Sequence, residues 1–179
     1  LADKDVTATE GENDGSVNLA LASRGSTIVG NNGKYHARLI DGVKTGYTGS
    51  TGFGYTFWTG SSNSPGKMTL DLKALCTVSS TRLLLWDLDS RYYRYRIEAS
   101  ANGTTWSTVV DRTSGSWQGW QDLAFAPAIQ ARYFRLTGTY NSSDAAFYAV
   151  EWEVYGLVAG GAGKSVASQP AAAGKATTI

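Results

Sequence analysis

The sequence predicts an all-β sandwich, and three observations carry that expectation. Short runs rich in β-branched and aromatic residues alternate apolar with polar side chains. Gly, Asn and Ser clusters interrupt these runs at short intervals, and no amphipathic helix of useful length appears. Successive side chains on a strand point to opposite faces, so period two with one polar face is the pattern a two-layer sandwich requires.

Taken in order, the strand candidates are Lys67–Leu72, Ser80–Asp87, Tyr92–Ala101, Trp106–Val110, Gln121–Phe125, Arg132–Thr139 and Phe147–Tyr155. In the third, Tyr93, Tyr95, Ile97 and Ala99 share one face while Arg94, Arg96 and Glu98 share the other. In the last, Val150, Trp152 and Val154 oppose Glu151, Glu153 and Tyr155. Asn102-Gly103 follows the third strand and is a strong hairpin signal, because both residues tolerate positive φ. No internal repeat of solenoid or propeller type is present.

The chain has 179 residues, 42% of them hydrophobic, which suits one domain able to hide roughly 70% of its unfolded surface. Residues 1–16 are polar and aperiodic and read as a leader or linker, and 17–157 hold the domain. From 158 to 179 the composition turns to Ala, Gly, Ser, Lys and Thr, too little apolar surface to repay the entropy of ordering. This reads as a tail or linker to something larger, or as a segment that orders on assembly with neighbours. A net charge of +1 makes nucleic acid and anionic membranes poor expectations. No stretch is apolar and long enough to span a bilayer. Cys76 is the one cysteine, so no internal disulfide forms, and it reads as a small buried residue.

Catalysis is not expected. One His and one Cys exclude the usual His/Cys zinc sites, and His36 has no Gly-x-Ser-x-Gly elbow to accompany it. The carboxylate pairs Asp87/Asp89 and Glu151/Glu153 read as solvated faces. Six Trp and ten Tyr are a surplus of rings with a polar handle, suited to half-wet surfaces. Trp86, Trp106 and Trp152 are expected in the core, and Trp120 at a buried strand start. Trp117, in a Gly/Ser-rich setting, reads equally as an exposed platform or as core.

Five ordered segments resemble the factor V/VIII C-type (discoidin) family, which includes the family 32 carbohydrate-binding modules. They are Asn18–Ser23, Arg38–Tyr47 with its Ile40-Asp41-Gly42, Tyr93–Trp106, Ala131–Leu136 and Val150–Gly156. Leu83–Asp87 with Ser90–Tyr92 is similar to a branch found in bacterial extracellular multidomain proteins and in some intracellular eukaryotic scaffolds. The resemblance implies a discoidin-like (galactose-binding-like) jelly-roll β-sandwich with a structural calcium ion. Its ligands would be the Asp41 and Glu151 side chains, Thr45, and the carbonyls of Arg38, Val43 and Val150. Hard cations want such clustered oxygens. Asp41 to Thr45 is a residue shorter than in many relatives, which leaves the Thr45 position to that residue or to a water.

The resemblance also implies non-catalytic glycan binding through loops at one end, in a secreted or cell-surface protein. The candidate ligand residues are Tyr47, Trp58, Asp89, Arg91, Tyr92, Trp117, Asn141 and Phe147. Rings offer a plane to the C–H face of a sugar, while Arg, Asp and Asn address its hydroxyls. Arg91 could equally bridge Asp87 or Asp89 as a structural pair. The alternative function is an adhesive module that binds protein or other copies of a surface protein and assembles there.

Overall fold

In a computed structural model the chain is described over residues 15–31, 33–47, 55–58 and 66–159. Among these described residues nine strands run in chain order: β1 (Val17–Asn18), β2 (Thr27–Asn31), β3 (Gly33–Lys34), β4 (Tyr55–Trp58), β5 (Gly66–Leu85), β6 (Tyr93–Ser100), β7 (Ser107–Trp117), β8 (Trp120–Asn141) and β9 (Ala146–Val158). All the pairings between them are antiparallel.

Two of these strands are longer than their sequence pattern suggests. Lys67–Leu72 and Ser80–Asp87 are halves of the single strand β5, and Gln121–Phe125 and Arg132–Thr139 are halves of β8. Each turns a corner without leaving the ladder. The first half of β5 pairs with β2 and with the second half of β8, and its second half pairs with β9 and the first half of β8. One layer is therefore β2–β5–β8–β6–β7 and the other is β3–β4–β9–β5–β8 with β1 on β9. Polar residues at the corners, Lys73 and Ser79 among them, break the apolar period and make one strand look like two.

The corner of β5 is built by Asp71. Its Oδ1 accepts the Lys73 backbone N–H at 2.8 Å and Arg132 Nε at 2.9 Å, while its Oδ2 accepts Arg132 Nη2 at 3.1 Å. Lys73 takes φ of 68° there, a left-handed conformation that costs a non-glycine residue energy and needs local support. Because Arg132 sits on β8, one carboxylate holds both corners.

The core fills the space between the layers. Met68, Leu70, Tyr93, Tyr95, Ile97, Phe134 and Leu136 face Leu83, Phe147, Trp152 and Val154 across it. Trp152 meets Phe134 edge-on at 6.4 Å, and Phe147 meets Tyr93 at 5.2 Å. The period-two reading of β6 is borne out for its inward face, and that of β9 for Trp152 and Val154; a register shift opposite Leu84 and Leu85 breaks the period at Val150, so that Phe147 and Ala149 also face the core. The hairpin at Asn102-Gly103 also forms: Gly103 has φ of 76°, and Asn102 Oδ1 accepts the N–H groups of Thr104 and Thr105 at 2.9 Å.

Other expectations are corrected. The Asn18–Ser23 segment is not one strand: β1 stops at Asn18, and Ala22–Arg24 form a 3-10 turn closed by Gly25 at φ of 95°. Of the tryptophans expected in the core only Trp152 is fully buried. Trp86, Trp106 and Trp120 are half-buried, because each presents an outer face that a guanidinium covers (Arg91, Arg135 and Arg82). Cys76 is buried as expected. No helix among the described residues is long and apolar enough to cross a membrane.

Two outcomes follow from this packing. A Cβ added at Gly138 would overlap the Phe147 ring, so Gly138→Ala should cost about 1–3 kcal/mol by overpacking, read from the urea midpoint. The Arg132 hydrogen bonds hold the Asp71 carboxyl down to about 2 from its ordinary 3.8. A depressed folded-state pKa adds stability that is present above the unfolded value and lost as pH falls through the folded one. Wild type should therefore exceed Asp71→Asn in thermal midpoint at neutral pH, and the gap should close as pH falls from about 4 to about 2.

Candidate functional site

The starts of β6 and β9 and the end of β5 all lie at one end of the sandwich, and the loops between them gather there. Arg91 is the organising group. Its Nε lies 2.9 Å from Asp89 Oδ1 and its Nη2 2.7 Å from Asp89 Oδ2, while Nη1 donates to Asp144 Oδ2 at 3.1 Å. The guanidinium stands 4.5 Å above the Trp86 ring and 5.3 Å from that of Tyr148. Asp89 on one side and Asp144 on the other raise its already high pKa further, so it is a permanent, fixed planar cation.

Neighbouring groups extend the cluster. Tyr47 donates its hydroxyl to Asp87 at 2.7 Å, tying the 41–47 loop to the β5–β6 loop. Burial first, and Asp87 second, push the Tyr47 phenol well above its ordinary pKa, so it stays a donor. Gln118 donates to the Arg91 carbonyl at 2.7 Å. The Tyr92 N–H donates to the Ser142 hydroxyl and the Ser142 N–H donates to the Tyr92 carbonyl, each at 2.9 Å, and the Tyr92 ring lies 5.6 Å from that of Tyr140, with Arg94 set over both rings. Tyr148 donates to Asp144 at 3.2 Å.

The predicted ligand residues thus divide. Tyr47, Asp89, Arg91 and Tyr92 come together at the loop end. The Trp58 side chain lies outside the described residues, though its backbone pairs with Ala146. Phe147 is a correction: it is wholly buried against Tyr93 and Tyr95, because it occupies an inward position of β9 while Tyr148 points outward. Asn141 is another. It is 6% exposed, and its amide donates to the Ala146 carbonyl and Asp144 while its oxygen accepts from Ser143 N–H. It closes the β8–β9 loop and is buried away from a ligand's reach. Trp117 is half-buried at the β7 edge, donating to the Ser114 carbonyl, with Arg112 at 3.6 Å over its ring.

The sequence pattern missed Tyr148, Asp144 and the half-buried Trp86 ring beside Arg91. Tyr148 could have been found by placing it at the outward position between inward Phe147 and Ala149. Asp144 carries no periodic signal, because it belongs to a turn.

The 38–45 loop covers the outer face of β9. Arg38 is on a 3-10 turn, His36–Ile40, with its guanidinium 5.0 Å from the Tyr35 ring. Asp41 ends that turn, and its Oδ1 accepts Val43 N–H at 2.8 Å; Val43 and Thr45 are exposed. Beneath, Val150, Glu151 and Glu153 are buried. The reading of Glu151 and Glu153 as a solvated face is therefore corrected: the loop sits on top of them. Glu153 is paired, with Lys44 Nζ at 2.7 Å and Arg82 Nη1 at 3.4 Å. Glu151 Oε1 accepts Gly42 N–H at 3.1 Å, but its Oε2 is buried without a partner. Burial, and then the nearby Asp41 charge, push the Glu151 carboxyl up to about 9.

An orphaned carboxylate oxygen beside a second carboxylate fits a hard cation. Among the described residues no three His, Cys, Asp or Glu side chains converge, so carbonyls would complete any such shell.

A β-sandwich with aromatic and charged loops gathered at one end is the architecture of the discoidin-type modules. The F5/8 type C domain profile matches residues 22–152, and the chain belongs to that family. Among solved structures it is similar to CpGH89CBM32-6 of Clostridium perfringens (TM-score 0.61, 17% identity, 78% of this chain and 99% of that one). It is also similar to chitosan-binding module 1 from the chitosanase/glucanase of Paenibacillus sp. IK-5 (0.58, 27%, 78% and 99%). Among curated proteins, BTB/POZ domain-containing protein 9 of Homo sapiens is 38% identical over 88 residues, which are 49% of this chain and 14% of that protein. The Drosophila melanogaster protein of that name is 34% identical over 121 residues, 68% of this chain. The chain thus spans about one-sixth or less of these relatives' length.

Proposed function

We propose that this domain is a non-catalytic carbohydrate-binding module of a secreted or cell-surface protein, and that it binds its glycan at the loop end around Arg91. The observation that carries the reading is the Arg91 guanidinium, locked by Asp89 and Asp144 beside the Trp86 and Tyr148 rings. A sugar needs a ring for its C–H face and pre-aligned polar groups for its hydroxyls. Here both are held in place before binding, which lowers the entropy cost. The likeness to a chitosan-binding module at 27% identity supports a sugar ligand.

A structural calcium ion belongs to the same reading. Asp41 and Glu151 would hold it, with Thr45 or a water and the carbonyls of Arg38, Val43 and Val150 as further donors. The support is the buried Oε2 of Glu151, which has no partner among the described residues. Bound there, a cation would tie the 38–45 loop to β9.

Protein assembly is the second reading. Leu75, Leu157 and Val158 are exposed together at the end of the sandwich opposite the loops, next to the Ala/Gly-rich tail.

Two measurements test these readings. On a glycan array the wild-type chain should bind a defined set of sugars, and Arg91→Ala and Trp86→Ala should each weaken titrated binding at least tenfold. Absence of binding to every glycan, together with ordered oligomers in solution, would transfer the case to assembly. Calcium should raise the thermal midpoint of wild type and leave that of Glu151→Gln unmoved; an equal rise in both would remove the ion from this site.

A further inference from the structure

Two stretches of the chain carry the Asn-x-Ser/Thr pattern of an N-glycan acceptor, Asn102-Gly103-Thr104 and Asn141-Ser142-Ser143. Transfer also needs an accessible amide nitrogen with a hydrogen to give up, and the structure separates the two on that ground.

Asn141 is closed. Its Nδ2 is buried with the rest of the side chain and donates to the Ala146 carbonyl at 2.6 Å and to Asp144 Oδ1 at 3.0 Å, so both amide hydrogens are engaged. Asn102 is open. It stands exposed on the β6–β7 hairpin, at the end of the sandwich opposite Arg91, where Gly103 takes φ of 76°. Its Nδ2 donates to none of the described residues. Its Oδ1 accepts the Thr104 and Thr105 N–H groups and the Thr104 hydroxyl, each at 2.9 Å. Donors aimed at that oxygen stabilise the negative charge it takes as Nδ2 loses a proton. Ser100 Oγ closes the turn by accepting Gly103 N–H at 2.9 Å. All these bonds lie within six residues, so the turn forms without waiting for the sandwich.

There is also room for a sugar. A hollow of about 360 Å³ opens beside Asn102, enough for one sugar residue. Ala99, Val109 and Ile129 give it an apolar base, Thr105, Ser107 and Gln130 give it hydroxyl and amide groups, and no charged side chain lines it. A neutral acetamido sugar linked at Asn102 finds compatible surface there.

We propose that Asn102 is an N-glycosylation site. The inference rests on the reading of a secreted or cell-surface protein, because the co-substrate, an oligosaccharide carried on a lipid diphosphate, belongs to that route. In the step, Asn102 Nδ2 gives one proton to a base of the transferase and bonds to C1 of the sugar. The bond from C1 to the diphosphate oxygen breaks, and the lipid diphosphate leaves with that electron pair. The glycan would stand at the far end from Arg91 and leave the loop end open to its ligand.

The test expresses the full chain behind a secretion signal in a eukaryotic cell and reads its intact mass, in cell extract and in medium, before and after peptide-N-glycosidase. Wild type should carry one glycan that the enzyme removes. Asn102→Gln and Thr104→Ala should each abolish the mass shift, and Thr104→Ser and Asn141→Gln should keep it. Unmodified wild type in both fractions, a shift that survives Asn102→Gln, or one lost in Asn141→Gln would overturn the proposal. An unmodified chain leaves the glycan-binding reading of the loop end standing, and absence of array binding leaves Asn102 standing. A native protein confined to the cytosol would overturn the secreted reading and this proposal together.

Discussion

Asp71 is one residue among nine strands, but the sandwich closes through it. β5 and β8 are hydrogen-bonded partners over nearly their whole lengths, and both must bend at the same level for one ladder to serve two layers. The bend in β5 puts Lys73 into a left-handed conformation, and the Asp71 carboxylate supports it through the Lys73 N–H while gripping Arg132 on β8. Shared strands then fix how the inner faces meet, so that Trp152 finds Phe134 and Phe147 finds Tyr93. The loop end inherits its geometry from the same corner, because the far ends of β5 and β8 are carried to one place with the start of β9.

The loop end itself is held by charge more than by apolar burial. Exposed ion pairs taken singly contribute little, but Arg91 joins two carboxylates and two rings, and a network confers rigidity that separate pairs do not. The face of β9 beneath the 38–45 loop is the opposite case. Two glutamates are buried there; Glu153 is neutralised by Lys44 and Arg82, whereas Glu151 retains an oxygen that no described residue satisfies.

Much of the fold was legible in the sequence. Alternation gave the inward face of β6 and of β9 at Trp152 and Val154, and Asn102-Gly103 gave the β6–β7 hairpin, because period and turn chemistry are local properties of the backbone. Asp89, Arg91, Tyr92 and Tyr47 were also legible as a cluster, since loops rich in rings and charge at strand ends mark themselves. Only the tertiary structure decided the rest. It joined four apparent strands into β5 and β8, because a bent strand interrupts its own period without breaking its ladder. It turned Phe147 and Asn141 inward and brought Asp144 and Tyr148 to Arg91, since burial and ion pairing depend on residues distant in the chain.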